Sequence, residues 1–307
     1  MSQQPSRPSV SAVVPTRDRP EQLRRSVEAI LTQEYEGEIE CVVVFDQSDP
    51  HEVPVPVHAG RALRIIRNER TPGLAGARNT GVLASGGDLI GFCDDDDEWL
   101  PGKLLAQVAE LQRRDDIVAV AAGIVVANGA RVIERIPSHR MLVHADLMRS
   151  RVMEVNPCTI LLRREVFMEV GLVDEDIPGS YYEDYDWLIR CTARGPVSVL
   201  PNALVRINWH ESSFFAERWR VIVDALEYML GKYPEFARDR RGLARMYGQL
   251  AFANAASGQG RSAWHWIRRT LAADMRERRA YLAMAVAAKL VKPQAVLKLA
   301  RSRGKGI

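Results

Sequence analysis

The chain has no long apolar run and no paired cysteines, and each absence removes a class of protein. A membrane-spanning helix needs about 18 or more consecutive apolar residues; the run Ala280 to Val291 is shorter and carries Lys289. Met1 to Pro8 is polar without an apolar core, so it does not read as a secretory signal. Cys41, Cys93, Cys158 and Cys191 are widely spaced with no C-x-x-C. Three of them sit in apolar contexts, which points to reduced core thiols and a cytoplasmic setting. The basic residues have no recognisable nucleic-acid motif and no ordered aromatic platform, so nucleic acid is not an expected partner. No Ser-His-Asp or Cys-His arrangement is evident.

What is present is a chain of 307 residues with 47% apolar and 26% charged residues, ordinary values for a folded protein. Its net charge of +3 hides an asymmetry. Ala216 to Ile307 holds 19 Lys/Arg against 7 Asp/Glu, whereas Met1 to Phe215 holds 23 against 32. An acidic body suits cations and a basic tail suits anions, so the two halves have different partners.

Strand-like and helix-like patterns alternate through the first half. Val10 to Val14, Ile39 to Phe45, Leu63 to Ile66 and Leu89 to Cys93 read as buried strands. Between them Leu23, Val27, Ile30 and Leu31 recur at helical spacing behind Asp18 and Glu21, which have capping-box spacing, and Gly73 to Ala84 reads as a second helix. A third helix is expected from Pro101. The alternation predicts an α/β fold, a parallel sheet covered on both faces whose ligands bind beyond the carboxyl ends of its strands. Thr16-Arg17-Asp18, Asp46-Gln47-Ser48 and Asp94 to Asp97 occupy three such ends. Ile117 to Asn208 has shorter apolar runs, Val132-Ile133 and Thr159 to Leu162 among them, which predict a mixed extension. Arg218 to Leu230, Leu243 to Ala256, Ser262 to Ala273 and Arg279 to Val291 read as helices. The expected division is a short N-terminal segment (1–8), a catalytic domain (9–215) and a basic helical extension (216–307).

Four consecutive aspartates, Asp94 to Asp97, stand where a buried strand ends. Carboxylates projected from a rigid edge suit hard divalent cations, which complete their shells with substrate phosphates. Taken alone, the run fits a phosphatase, a nucleotidyltransferase or a calcium site. A second acidic cluster, Tyr181-Tyr182-Glu183-Asp184-Tyr185-Asp186-Trp187, sets carboxylates among aromatics, an environment suited to accepting a proton. It also fits an acidic helix start. Asn208-Trp209-His210-Glu211 follows a strand-like stretch.

The order of these motifs resembles the family 2 glycosyltransferases. It comprises Val13-Val14-Pro15-Thr16-Arg17, Val43 to Ser48, Gly73 to Gly81 with its Ala77-Arg78-Asn79, Phe92 to Trp99 and Glu183-Asp184, and covers about Ser9 to Ser213. The resemblance implies a GT-A fold, a Rossmann-like mixed sheet, and inverting transfer from a nucleotide-sugar donor in cell-envelope polysaccharide synthesis. It implies a donor site of Pro15, Thr16, Arg17, Asp46, Arg78, Asp94 and Asp95, with Asp46 on the base. Asp94 and Asp96 match the D-x-D motif, which implies a Mn²⁺ or Mg²⁺ site with Asp96 as direct ligand and His210 beside it. Asp184 matches the catalytic base and Glu183 its orienting partner. The nucleotide motif departs from the commoner form: Phe45 replaces an acid and Gln47 a glycine. A fourth aspartate leaves two possible metal registers.

The residues and the resemblance call for the same reaction. A base opposite the leaving diphosphate activates an acceptor hydroxyl, and one displacement inverts the anomeric centre. A glycan or lipid-linked acceptor is expected, with peripheral contact of the basic tail at the inner face of the cell membrane. A sugar-1-phosphate nucleotidylyltransferase would need a Gly-rich phosphate loop that Val13 to Pro20 lacks. A non-catalytic scaffolding relative is the remaining alternative.

Overall fold

In the computed structural model, residues 7–129, 131–209 and 218–302 are described. The elements in chain order are β1 (Val10–Thr16), α1 (Pro20–Leu31), β2 (Ile39–Phe45), β3 (Arg61–Arg67), α2 (Leu74–Ala84), β4 (Leu89–Phe92), β5 (Glu98–Trp99), α3 (Lys103–Arg113), β6 (Ala119–Asn128), β7 (Arg131–Arg135) and β8 (Met141–Leu142). They continue with α4 (His144–Arg149), β9 (Leu161–Arg163), α5 (Arg164–Val170), α6 (Glu183–Thr192), β10 (Val197–Asn208), α7 (Trp219–Lys232), α8 (Arg240–Ala256), α9 (Gly260–Ala273), α10 (Arg278–Ala287) and α11 (Pro293–Ser302).

Among the described residues ten strands form one mixed sheet in the order β3-β2-β1-β4-β9-β6-β10-β5, with β7 on β6 and β8 on β10. The first four are parallel. Every residue of β1 is buried, as expected of a strand covered on both faces. Val13 pairs with Val42 on one side and Phe92 on the other, which fixes the register of three neighbouring strands. β9 then enters antiparallel to both β4 and β6. The sheet is therefore mixed, as a GT-A fold requires.

By contacts the chain forms two compact units. The first is Met1–His144, Val152–Glu175 and Glu183–Glu211; the second is Ala145–Arg151, Asp176–Tyr182 and Ser212–Ile307. In the second, α8 is buried along most of its length and packs against α7, α9 and α10. Among the described residues no helix is long and apolar enough to cross a membrane.

Several local expectations are corrected. Asp18 and Glu21 make no capping box: α1 begins at Pro20, Arg19 is its N-cap but makes no side-chain capping bond, and Asp18 lies outside the helix at φ 53°. Proline fills the first helical position because it has no N–H to satisfy. α3 begins at Lys103, after Gly102 at φ 80°, rather than at Pro101. α10 stops at Ala287 because Lys289 turns left-handed (φ 58°), and Pro293 starts a further helix, α11.

Lys103 is fully buried, its Nζ donating to Gln107 Oε1 at 2.7 Å and lying 4.0 Å from the Trp99 ring centre. Burial pushes the amine down from its ordinary 10.5 to about 7. Between those values the unfolded chain binds a proton that the folded chain does not, so this residue makes stability rise with pH from about 7 to about 10.5. Lys103→Met is expected to raise the midpoint of unfolding at pH 7 and to flatten that rise; urea titrations across the range test both. At Gly81 of α2, an added Cβ would lie 2.3 Å from Val13 Cγ1. Gly81→Ala is expected to destabilise by about 1–3 kcal/mol through overpacking, read from the same titrations.

Candidate active site

The site begins where β2, β1 and β4 end side by side. The Asp46 amide donates to Thr16 O at 2.9 Å, joining the first two ends. The Asp46 carboxylate accepts from Asn68 Nδ2 (2.8 Å), Gly73 N (3.0 Å) and Gln47 Nε2 (2.8 Å). It thereby fixes the turn that leads into α2. Pro15 and Thr16 are buried in β1, whereas Arg17 is exposed.

The four aspartates after β4 occupy four environments. Asp94 is half-buried and accepts from Arg78 Nη2 at 2.7 Å. Asp95 turns inward, accepting from Thr16 Oγ1 (2.8 Å), Arg17 N (3.3 Å) and Arg19 Nη1 (3.1 Å). Burial pushes its carboxyl up to about 6, while Thr16 and Arg19 pull it down. Asp96 pairs with Arg19 Nη1 at 2.7 Å. Asp97 is buried, accepting from Asn208 N (3.1 Å) and the Cys158 thiol (3.3 Å). Burial, then Asp94 and Asp96, raise it well above the usual carboxylate range.

The ligand atoms of Asp94, Asp97 and Cys158 all lie within 4.8 Å of one another. This grouping takes the fourth aspartate rather than Asp96 as the neighbour of Asp94. His210 lies outside the described residues.

Arg78 connects this loop to the second acidic cluster. Its guanidinium, only 3% exposed, donates through Nη1 to Glu183 Oε1 and through Nη2 to Asp94. Burial opposes its charge, but Asp94, Glu183 and Asp184 outweigh that and raise its pKa. Arg78 Nε has no hydrogen-bond partner among the described residues. Glu183 is buried, and Asp184 is half-buried with its carboxylate accepting from Tyr185 N at 2.7 Å. Both stand in the first turn of α6, where the helix dipole favours negative charge. Asp186, in the same turn, is fully buried and paired with Arg190 at 3.0 Å. The structure thus gathers Thr16, Asp46, Arg78 and the aspartate run at neighbouring strand ends and ties Glu183 to them.

Sequence reasoning missed Arg19, Cys158 and Asn208 as partners of the aspartates. The basic residue two places after Arg17 was a signal for the first; Cys158, distant in sequence within an apolar context, offered none. It also missed the backbone ahead of α6. Gly179, Ser180 and Tyr182 have φ of 62°, 56° and 79°. Within the second unit the buried Tyr182 donates its hydroxyl to Gln249 Oε1 at 2.8 Å, and Arg151 lies over its ring.

The sequence model for "Glycosyl transferase family 2" matches residues 11–171. An uncharacterised glycosyltransferase of Bacillus subtilis, YwdF, is 30% identical over 202 residues, 64% of this chain and 72% of that protein. An Escherichia coli protein named UDP-Glc:alpha-D-GlcNAc-diphosphoundecaprenol beta-1,3-glucosyltransferase WfgD is 24% identical over 141 residues, 46% of this chain and 55% of that one. Against a further relative, y4gI of Sinorhizobium fredii, the match spans only 23% of its length. Among solved structures, S. aureus TarS with UDP-GlcNAc superposes with a TM-score of 0.62 at 16% identity, covering 97% of this chain and 92% of that one. The mannosyltransferase PcManGT of Pyrobaculum calidifontis, in complex with GDP-Man and Mn²⁺, gives 0.57 at 17% identity over 95% and 83%. With more than half of its length matched by the family model and the sheet of a GT-A fold, the chain belongs to glycosyl transferase family 2.

Proposed function

We propose that this glycosyltransferase moves a sugar from a nucleoside-diphosphate sugar to an acceptor hydroxyl on a glycan or lipid-linked sugar, inverting the anomeric centre in one displacement. The observation that carries the reading is the buried Arg78, which holds Asp94 of the strand-end loop and Glu183 of α6 on one guanidinium. Donor-side and acceptor-side carboxylates are then fixed at neighbouring positions, as in-line displacement needs. Neighbouring structures hold UDP-GlcNAc and GDP-Man, which supports a nucleotide-sugar donor.

In this reading Pro15, Thr16, Arg17, Asp46, Arg78, Asp94 and Asp95 form the donor side, with Asp46 toward the base. Asp184 takes the proton of the acceptor hydroxyl, and Glu183, held by Arg78, fixes the start of α6 beneath it. General-base action of this kind contributes typically 10² to 10⁴ in rate.

Asp94, which belongs both to the D-x-D pair and to the grouping with Asp97 and Cys158, is the carboxylate that supports a divalent-cation site here. Asp94 and Asp96 would hold Mn²⁺ or Mg²⁺, which would supply charge to the departing diphosphate. His210 is proposed as a further ligand. Residues 9–215 are assigned to catalysis and 216–307 to a helical extension, in a cytoplasmic protein.

Asp184→Asn is expected to reduce transfer by at least 10² while preserving the thermal shift given by donor; retained turnover removes Asp184 as the base. A thermal-shift panel of UDP, GDP, CDP and dTDP with their sugars is expected to give a Mn²⁺-dependent rise for one nucleotide. Asp96→Ala is expected to erase that rise, and a shift unaffected by either change argues against the metal site.

A further inference from the structure

The last three helices carry a surface that the transfer reaction does not use. From Ser257 to Ile307 the chain has 12 Lys/Arg and two acids, Asp274 and Glu277. Both acids are engaged locally: Asp274 Oδ1 accepts from Arg276 N at 2.9 Å, and Glu277 Oε1 accepts from Arg279 N (3.0 Å) and Nη1 (2.9 Å). The positive charge of this region is therefore not neutralised within its own sequence.

On α9 the positions Ala263, Ile267 and Thr270 are buried, while Arg261, Trp264, His265, Arg268 and Arg269 are exposed. These five stand at i, i+3, i+4, i+7 and i+8, the spacing of one helix face. α10 repeats the pattern: Ala280, Ala283 and Val286 face inward, while Arg278, Tyr281 and Leu282 are exposed. The two helices pack against each other and against α8, so their outer faces are adjacent. Beyond α10, Lys289 turns the chain left-handed and leaves Leu290 78% exposed. At the α9–α10 connection, Met275 is 71% exposed beside a cleft of about 550 Å³ that Arg240, Arg241 and Arg276 help to line.

We propose that the outer faces of α9 and α10, with the Leu290 turn, seat the protein on an anionic phospholipid bilayer. Two features on one surface select this partner. The basic side chains match the negative headgroups, and the exposed Trp264, Tyr281, Leu282 and Leu290 lie among them. Aromatic and aliphatic groups beside Lys and Arg partition into the headgroup boundary. A nucleic-acid backbone offers nothing to Leu282 or Leu290, and an acidic protein surface would need apolar sockets at matching positions. The surface would bring a transferase to an acceptor embedded in, or synthesised at, a membrane.

Sedimentation of the full chain with vesicles tests the proposal without donor or acceptor, so its outcome is separate from that of the transfer reaction. The protein is expected to pellet with vesicles containing phosphatidylglycerol and to stay in solution with phosphatidylcholine alone. Arg261→Gln with Arg268→Gln should lower the partition coefficient about fivefold per charge removed. Leu282→Ser with Leu290→Ser, which leaves the charge unchanged, should lower it at least about tenfold. All four side chains are exposed, so thermal midpoints should match the parent. Absence of pelleting with phosphatidylglycerol at low salt overturns the proposal. So does full binding by the double-serine variant together with tight binding of duplex DNA, which marks a general polyanion surface. Pelleting without vesicles reassigns the face to self-association.

Discussion

A single buried cation organises the candidate site of this protein. Arg78 comes from α2, Asp94 from the end of β4 and Glu183 from the start of α6, so three segments meet on one guanidinium. Taking such charges out of water costs several kcal/mol per ion, and the planar, two-pronged geometry of arginine is what lets two carboxylates offset it. The arrangement depends on α2 lying very close to its neighbours. An added Cβ at Gly76 would sit 1.9 Å from Thr71 O, and one at Gly81 2.3 Å from Val13. The glycines of that helix are therefore part of the site although neither touches a carboxylate.

The aspartate run shows how little residue type alone decides. Four identical side chains follow β4, and the fold gives each a different set of partners: Arg78; Thr16 with Arg19; Arg19; and the Asn208 amide with Cys158. The second and fourth are anchors that tie the loop to β1 and β10. The first and third retain more contact with solvent. A loop whose alternate residues are buried holds its other two carboxylates in place.

The parallel half of the sheet was legible because each strand is a short apolar run that ends at polar residues, and the neighbourhood of the three strand ends could be read from order alone. What escaped was non-local. Cys158 reaches Asp97 across 61 positions, a distance no periodicity reports. The second unit takes in 145–151 and 176–182 besides the C-terminal helices, because packing rather than adjacency decides membership. The end of α10 was misjudged because Lys289 adopts a left-handed backbone that lysine rarely shows. Asp18 had the right spacing for a cap, but Pro20 claimed the start of the helix.

Tyr182 carries a stereochemical consequence. An L-residue at φ 79° pays for its Cβ being set against its own backbone, yet glycine, the usual occupant of such a position, would lose the hydroxyl that reaches Gln249. The position asks for the side chain of tyrosine and the handedness of its mirror image. A D-residue introduced there by semisynthesis would relieve the backbone but send its side chain from Cα in another direction, away from Gln249. The strain at this turn and the hydroxyl's bond therefore come together: one L-tyrosine carries both.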